Sequence, residues 1–328
     1  MLTRDTYRFS VAPMMDWTDR HCRAFHRELS ACAILYSEMV TADAVIHGER
    51  ERLIGYSDIE HPLALQLGGN EPAKLAEASK IAEDFGYDEV NLNCGCPSDR
   101  VQSGAFGACL MREPQLVADC LAAMQYAVKI PVTVKHRIGV DEDEPRERLF
   151  GFVETVSNNS PCTVFHVHAR KAWLKGLSPK ENREIPPLDY DLVHELKTAY
   201  PDLLITLNGG LETVEQSLPH LDHLDGVMLG RAAYHDPTIL LQVDSAIYGA
   251  PARHDDMLHA LKAYRAYIVS ELAKNTPLHA ITRHILGAFN GRPGARLWRR
   301  HLSENAPRRE ADIPVSYTHL TLPTRCLG

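Results

Sequence analysis

Long apolar runs are missing from this chain. No stretch of about 18 apolar residues occurs among its 328 residues, so the sequence predicts no membrane-spanning helix. Residues 1–8 also lack the apolar segment of a signal peptide. We therefore expect a cytoplasmic protein that makes no contact with a membrane.

Cysteine is sparse, and its spacing does not indicate metal binding. Eight cysteines are scattered along the chain and no Cys-x-x-Cys pair occurs, so a zinc site has little support. Without an export signal, reduced thiols are the economical interpretation. We predict reduced cysteines and no resident metal ion.

Positive charge is in deficit, because the formal net charge is −8. A nucleic-acid partner would therefore need a local cluster of basic residues rather than a basic molecule. Apolar residues make up 45% of the chain, which is enough to bury a large core in one large domain or two.

Short β-rich runs alternate with segments that are long enough for a helix. The eight predicted strands are 9–14, 34–39, 62–67, 89–93, 132–136, 163–168, 203–208 and 226–230. Helical patterns lie between them, for example at 71–85, 114–127 and 188–199. Such alternation implies parallel strands with helical crossovers, and eight units indicate an α/β protein with a closed (β/α)₈ TIM barrel. A doubly wound open sheet is the alternative topology.

Polar or glycine residues stand at the end of nearly every predicted strand. They are Pro13 to Asp16, Glu38, Gln66, Asn93 with Cys96, Lys135, His168, Asn208 to Gly210, and Gly230 with Arg231. Barrel active sites lie at the C-terminal ends of the strands. Each residue alone has an ordinary structural explanation, but the set at one rim favours a site.

The fourth strand ends in an unusual turn, Cys94-Gly95-Cys96-Pro97. Glycine reaches backbone angles that other residues avoid, and proline fixes its own φ while restricting the residue before it. The sequence therefore predicts that Cys96 is held on a stiff turn at the barrel rim.

Two loops indicate a phosphate site. Asn208-Gly209-Gly210 precedes a helical pattern that begins near Glu212, and Gly230-Arg231 precedes another near Ala232. Glycine lets backbone N–H groups approach an anion, and a helix start favours negative charge. In a TIM barrel the loops after strands seven and eight commonly bind phosphate, to which arginine can add a forked contact.

The strand rhythm stops after Tyr248. Residues 249–252 read as a linker, and 255–302 have a helical pattern whose last part is basic. We predict a barrel domain at 1–248, a small all-helical domain at 249–305 and an irregular tail at 306–328. Arg296 and Arg299 are three residues apart and can share one helix face, where a polyanion would bind.

Several of these motifs, in order, resemble the flavin-dependent tRNA-dihydrouridine synthases. They are Val11-Ala12-Pro13-Met14, Gln66-Leu67-Gly68-Gly69, Asn91 to Ser98, Val134-Lys135, His168-Ala169-Arg170, Asn208-Gly209-Gly210 and Gly230-Arg231. The stretch 168–183 is similar to the bacterial DusA subfamily in particular. The resemblance runs from about residue 9 to residue 302.

The resemblance implies an FMN-bound barrel followed by a helical tRNA-binding domain. It implies reduction of the C5=C6 bond of uridine in the tRNA D-loop, at positions 20 and 20a, with NADPH as reductant. Hydride would pass from N5 of reduced FMN to C6, and Cys96 would give a proton to C5. A thiol with an ordinary pKa of about 8.5 is mostly protonated at neutral pH and can serve as that acid.

The resemblance also distributes the other site residues. Around and beneath the flavin ring it places Pro13, Met14, Met15, Gln66, Lys135 and His168. Lys135 would stabilise negative charge on the ring. The phosphate falls to Asn208, Gly209, Gly210, Gly230 and Arg231. The tRNA contacts are Asn93, Lys180, Arg183, Arg296 and Arg299. We expect a monomer.

The chain departs from the family pattern in three places. Cys94 stands where relatives usually have a small apolar residue, and His136 where they often have threonine, which predicts a subtle change near the flavin. Relatives also continue in helical sequence where this chain has its aperiodic tail, which indicates a frame change or a foreign extension.

Two other functions compete with this one. The first is an FMN barrel oxidoreductase for a small molecule, of the dihydroorotate dehydrogenase or ene-reductase type. It would not explain the basic C-terminal helices or Lys180 and Arg183. The second is a tRNA-binding protein in which binding matters more than chemistry, which Cys96, Lys135 and His168 argue against.

Overall fold

The protein is a closed barrel of eight parallel strands in sequential order. The computed structural model describes residues 2–98, 101, 104–308 and 311–312. The strands are β1 (Phe9–Val11), β2 (Ile34–Thr41), β3 (Leu63–Gly68), β4 (Glu89–Cys94), β5 (Val132–Arg137), β6 (Val164–His168), β7 (Leu204–Asn208) and β8 (Gly226–Leu229). All eight predicted strands are confirmed, and closure of β8 onto β1 rules out the open sheet. The first strand ends at Val11, three residues earlier than predicted.

Helices follow the strands and surround the barrel. They are α1 (Arg20–Leu29), α2 (Ala42–His47), α3 (Arg50–Ile54), α4 (Pro72–Phe85), α5 (Pro114–Ala127), α6 (Pro145–Asn159), α7 (Tyr190–Ala199), α8 (Val214–Leu221), α9 (Arg231–His235) and α10 (Leu240–Tyr248). Short 3₁₀ helices lie at Arg4–Arg8, Asp58–Glu60, Gly107–Arg112, Glu181–Arg183 and Pro237–Ile239.

Local sequence accounts for the helix ends. α4 and α5 both begin with proline, whose missing N–H costs nothing in the first turn. Gly86 ends α4 with a φ of +106°, a left-handed conformation that glycine adopts without penalty. Thr213 caps α8 through its side chain, so this helix begins two residues later than the pattern near Glu212 indicated.

Strand alternation separates two buried layers. Outward side chains such as Phe165 and Val167 pack against the helices and build the main apolar core. Inward side chains fill the barrel with a smaller apolar cluster that includes Tyr36, Val164 and Met228. Several inward positions are nevertheless polar and fully buried. They are Gln66, Glu89, Asn91, Thr133, His166 and Thr206.

The C-terminal segment is helical, as predicted. It contains α11 (Met257–Ala273), α12 (Leu278–Thr282), a 3₁₀ turn at Arg283–Ile285 and α13 (Ala295–Asn305). Trp298 anchors α13 because it is fully buried and its indole N–H donates to the carbonyl of Ile285 at 3.0 Å.

Charged and aromatic groups join these helices to the barrel near α1. Asp19 accepts from Arg283 at 2.6 Å and pairs with His284 at 2.9 Å. The hydroxyl of Tyr264 donates to the carbonyl of His21 at 2.9 Å. The C-terminal helices are therefore packed against α1 and the turn that precedes it.

Most of the predicted tail lies outside the described residues, since α13 ends at Asn305 and 309, 310 and 313–328 are not described. Of the helices in the described ranges, none has both the length and the apolar character needed to cross a membrane.

Candidate active site

A cavity of about 1140 Å³ opens at the C-terminal ends of the barrel strands. It gathers nearly all the residues that the sequence placed at the rim. The predicted site residues that line the cavity are Pro13, Met14, Met15, Gln66, Asn93, Cys96, Lys135, His168, Arg183, Asn208, Gly209, Gly210, Gly230 and Arg231. The strand-end residues therefore share one site, as barrel topology dictates.

The turn that carries Cys96 is held by its own backbone hydrogen bonds. The side-chain oxygen of Asn93 accepts the backbone N–H of Gly95 at 3.1 Å and of Cys96 at 3.0 Å. The carbonyl of Cys96 accepts the N–H of Ala108 at 2.9 Å. The Cys96 thiol lies 3.5 Å from the hydroxyl of Ser98 and remains partly exposed to the cavity.

A positive φ at Gly107 lets the chain close over this turn. The φ is +79°, and a Cβ added there would stand 2.6 Å from the carbonyl oxygen of Cys96. Another residue would push the turn away, so Gly107 contributes to the position of the thiol.

The amides of Gln66 and Asn93 face each other beside the thiol. The Asn93 amide N–H₂ donates to the side-chain oxygen of Gln66 at 2.8 Å. Asn93 is 8% exposed, and both ends of its amide already have partners within the protein. Its clearest role in this structure is to hold the Cys96 turn, and the tRNA contact predicted for it stays a prediction.

Positive charge is concentrated on one wall of the cavity. The Lys135 ammonium donates to the side-chain oxygen of Asn208 at 2.9 Å, and the Asn208 amide donates to the carbonyl of Met228 at 2.6 Å. Burial and the nearby charge of Arg137 lower the pKa of Lys135 to about 7. An anionic group bound beside Lys135 would raise this pKa again, because an opposite charge favours the protonated amine.

His168 faces the two glycines of the β7 loop. Burial is the main reason that its pKa is well below the usual range, and the charges of Arg137 and Lys135 add to the effect. Its Nδ1 atom is buried and has no hydrogen-bond partner among the residues that the structure describes. Gly209 and Gly210 have φ angles of +110° and +73°, and a Cβ at Gly209 would lie 3.1 Å from the His168 ring. Both positions therefore require glycine.

Arg231 crosses from the β8 loop to the segment after β6. Its guanidinium forms an ion pair with Glu184 at 2.6 Å and donates to the carbonyl of Arg183 at 3.2 Å. Within the described ranges, the Nε atoms of Arg170 and Arg183 are buried without a hydrogen-bond partner. A cationic wall with unpaired N–H groups beside two obligatory glycines fits a bound phosphate.

One edge of the cavity is apolar and aromatic. Met14, Met15 and Met39 line it, and Met15 is 51% exposed. Trp17 lies at this edge and stacks on Tyr234 with 4.5 Å between the ring centres. An apolar edge together with a cationic wall suits a planar heteroaromatic ring that carries a phosphate tail.

Three predicted tRNA contacts do not line the cavity. Lys180 is exposed on the segment after β6, next to the short 3₁₀ helix at Glu181–Arg183. Arg296 and Arg299 are exposed on α13, whose Ala295, Trp298 and Leu302 are buried. The prediction that the two arginines share a helix face is confirmed, and their contact with tRNA stays a prediction. Glu38, another strand-end residue, accepts the backbone N–H of Asp16 instead of lining the cavity.

The two residues that depart from the family pattern within the barrel, Cys94 and His136, lie side by side and face away from the barrel interior. Cys94 and His136 are register partners on β4 and β5, and both are fully buried. The His136 ring packs between Phe152 and Phe165, and burial lowers its pKa to about 4. The His136 ring therefore faces the helices rather than the cavity, and the predicted subtle change near the flavin stays a prediction.

Sequence reasoning missed Arg137 and Arg170, which both line the cavity. Each stands two residues after a predicted site residue, Lys135 and His168 respectively. For Arg137 the signal was available, because residues i and i+2 of a strand share a face. Trp17 and Met39 also line the cavity and gave no comparable signal.

Comparison with known proteins agrees with the site. A model of the family described as dihydrouridine synthase (Dus) matches residues 10–321, and so reaches past residue 302 into the tail. A protein of Xanthomonas campestris named tRNA-dihydrouridine(20/20a) synthase is 60% identical over 304 residues, covering 93% of this chain and 90% of its own. Its counterpart from Escherichia coli K12 is 58% identical over 308 residues, covering 94% and 89%.

A solved structure of an old yellow enzyme homologue from Zymomonas mobilis is similar in fold. Its TM-score is 0.52 at 12% identity, and the match covers 75% of this chain and 89% of that one. At this identity the similarity concerns the barrel architecture alone.

Proposed function

The chain belongs to the dihydrouridine synthase family, and from that premise we propose that it reduces uridines 20 and 20a in the D-loop of tRNA to 5,6-dihydrouridine, with FMN as cofactor and NADPH as reductant. The names of the relatives supply the tRNA positions 20 and 20a that we expect to be modified. The observation that carries the proposal is the cavity itself, in which a positioned thiol, a lysine and two glycine loops meet around one space.

FMN fits this cavity on the chemistry of its walls. Gly209, Gly210, Gly230 and Arg231 would hold the phosphate, and Asn208 stands beside them. Pro13, Met14 and Met15 would lie beneath the ring, with Gln66, Lys135 and His168 at its edge. Reduced FMN, when bound, supplies the hydride that is added to C6 of uracil.

Cys96 would complete the reaction by proton transfer. After a hydride is added at C6, C5 carries the electron pair of the former double bond and accepts a proton from the Cys96 thiol. The resulting thiolate regains a proton from water. Asn93 fixes the turn that carries the thiol, so the donor is in place before substrate arrives.

Lys135 would act electrostatically. Its ammonium lines the cavity and would stabilise negative charge on a bound reduced flavin, and its lowered pKa makes its protonation responsive to such charge. His168 is neutral near pH 7 because of its lowered pKa, so it would contribute hydrogen bonds rather than charge.

The RNA would approach from the rim above the cavity. Lys180 and Arg183 stand on the segment beside it, and Arg296 and Arg299 are exposed on α13. Arginine and lysine bind the phosphate backbone without reading sequence, so these residues would position the tRNA for entry of a single base.

A pair of cysteine variants tests the proposal. Cys96→Ala should slow dihydrouridine formation in tRNA by about 10²–10⁴-fold, the usual loss on removing a general acid, while flavin absorbance and NADPH-driven flavin bleaching persist. Cys94→Ala is the control, because Cys94 is buried outside the cavity and its loss should leave the rate nearly unchanged. If Cys96→Ala reacted at the wild-type rate, Cys96 would not be the proton donor. If the purified protein were colourless, the proposal of a flavin cofactor would be refuted.

A further inference from the structure

A chain of side-chain hydrogen bonds leads from the barrel interior to the Cys96 turn. Asn91, in the middle of β4, donates to the Thr133 hydroxyl at 2.8 Å. The Asn91 oxygen accepts from the Gln66 amide at 2.8 Å, and the Gln66 oxygen accepts from Asn93 at 2.8 Å. Asn93 in turn accepts the backbone N–H groups of Gly95 and Cys96.

The direction of this chain is fixed at its cavity end. Backbone N–H groups can only donate, so the Asn93 oxygen must face the turn and its N–H₂ must face Gln66. That places the Gln66 oxygen toward Asn93 and the Gln66 N–H₂ toward Asn91. The same step at Asn91 turns its N–H₂ toward Thr133, whose hydroxyl proton is then directed away from Asn91.

The inner end has a matching acceptor. The Thr133 hydroxyl donates to a carboxyl oxygen of Glu89 at 2.6 Å, and the same oxygen accepts from the Tyr36 hydroxyl at 2.6 Å. Donor and acceptor roles therefore agree from Glu89 to Cys96 without a conflict. An amide flip anywhere in the chain would place like groups against each other.

Burial makes this arrangement costly unless it is complete. Asn91, Thr133 and Glu89 are 0% exposed, and neither Asn91 nor Thr133 lines the cavity. A buried polar group that loses its partner destabilises the protein, whereas apolar residues would fill the barrel without that risk. Packing alone gives no reason for a polar series at these positions.

We propose that Thr133 and Asn91 are positioning residues, which orient the Gln66 amide and the Cys96 turn from inside the barrel. The inference rests on the proposed function only for the roles of Gln66 and Cys96. Its structural content is that the hydroxyl of a buried threonine controls the geometry of a thiol that it does not touch.

Two substitutions at Thr133 separate hydrogen bonding from packing. Thr133→Val keeps the shape and removes the hydroxyl, while Thr133→Ser keeps the hydroxyl and removes a methyl group. The flavin-loaded full chain is measured for dihydrouridine formation in tRNA, kcat and KM separately, and for the rate at which iodoacetamide alkylates Cys96, followed by peptide mass spectrometry.

We expect Thr133→Val to lower kcat about 10- to 100-fold with KM for tRNA nearly unchanged, since misplacing a reacting group costs rate rather than binding. Alkylation of Cys96 should become several-fold faster as its turn loosens. Thr133→Ser should stay within about threefold of wild type in both measurements, although its thermal stability falls because a buried methyl group is lost.

Opposite outcomes would overturn the inference. Wild-type kcat and alkylation in Thr133→Val would do so, as would equal losses in both variants, because the methyl group would then matter rather than the hydroxyl. If Thr133→Val does not fold, Asn91→Leu interrupts the same chain and the same measurements decide. Should the wild type form no dihydrouridine, the proposed function fails while the alkylation rates still test the positioning role.

Discussion

Cys96 is placed by hydrogen bonds to its backbone, and its sulfur has a hydroxyl for a neighbour. A nucleophilic cysteine is usually activated by an adjacent base. Among the residues that the structure describes, no histidine is hydrogen-bonded to the Cys96 thiol, whose polar neighbour is the hydroxyl of Ser98. Within the described residues this arrangement lacks the hydrogen-bonded base of a nucleophilic cysteine, which fits the proton-donor role proposed for Cys96.

Lys135 is the residue whose titration the structure predicts most directly. Burial and the charge of Arg137 lower its pKa to about 7 in the flavin-free protein. Its amine should therefore be acylated by acetic anhydride with a midpoint near pH 7, measured by mass spectrometry of its peptide. The exposed Lys80, followed in the same digest, reports the behaviour of the reagent. A midpoint near pH 10 would contradict the prediction.

The lowered pKa of Lys135 has a defined sign for stability. Below about pH 7 both the folded and unfolded states hold the proton, and the buried charge costs free energy. Between about pH 7 and the ordinary value of 10.5, the unfolded state binds the proton more tightly, so stability gained from this group rises with pH. The free energy of unfolding in urea should be measured over this pH range for flavin-free wild type and for Lys135→Met. It should rise more steeply with pH in the wild type.

At the scale of single elements, the end of β5 connects two loops. The Arg137 guanidinium donates to the carbonyl of Gly95 at 2.9 Å and to those of Lys171 and Asn182 at 2.9 and 3.0 Å. It therefore links the Cys96 turn to the segment that carries Lys180 and Arg183. The link depends on the several N–H groups that the planar guanidinium holds in fixed directions, a geometry that the lysine ammonium does not have.

Arg137→Lys should loosen both loops at once. We expect a loss of about 1–3 kcal/mol in unfolding free energy, because buried carbonyls lose their donors, and about tenfold slower dihydrouridine formation. Limited proteolysis should cut the segment after β6 faster. Arg148→Lys is the matched control, since Arg148 is paired with Asp143 near the surface. Equal proteolysis of both variants would argue against the link.

Periodicity identified the strands because it depends on local sequence. It could not identify where β1 ends, since Ala12, Pro13 and Met14 continue the apolar run although the ladder stops at Val11. The ladder needs a hydrogen-bonding neighbour, and proline has no N–H to offer. The start of α8 at Val214 was likewise displaced by a cap at Thr213, a choice between adjacent polar residues that pattern alone does not make.

At the scale of the whole molecule, closure of the barrel is what turned a series of strand ends into a site. The sequence predicted which residues meet, because parallel strands present their C-terminal ends together. It could not predict that the Asn93 amide would be hydrogen-bonded to Gln66 and to the Cys96 turn, or that Arg170 would line the cavity. Those facts depend on side-chain directions that only neighbouring strands determine.

The remaining question at this scale is how a protein with a net charge of −8 would bind tRNA. α13 offers a local answer, since Arg296, Arg299 and Arg300 are exposed while Trp298 and Leu302 hold the helix to the protein. Each phosphate contact that is lost should reduce the salt dependence of binding by a fixed amount.

Reversing the charge at Arg296 and Arg299 should weaken tRNA binding without disturbing the cavity. The double variant Arg296→Glu and Arg299→Glu should raise the Kd for tRNA about tenfold or more and reduce the slope of log Kd against log salt by about 1.5, as two lost contacts require. Flavin absorbance should be retained. The control reverses Lys80 and Lys129, which are exposed on α4 and before β5 and give the same net charge. If both pairs weaken binding equally, overall charge rather than α13 governs association, and the helical domain loses its assigned role.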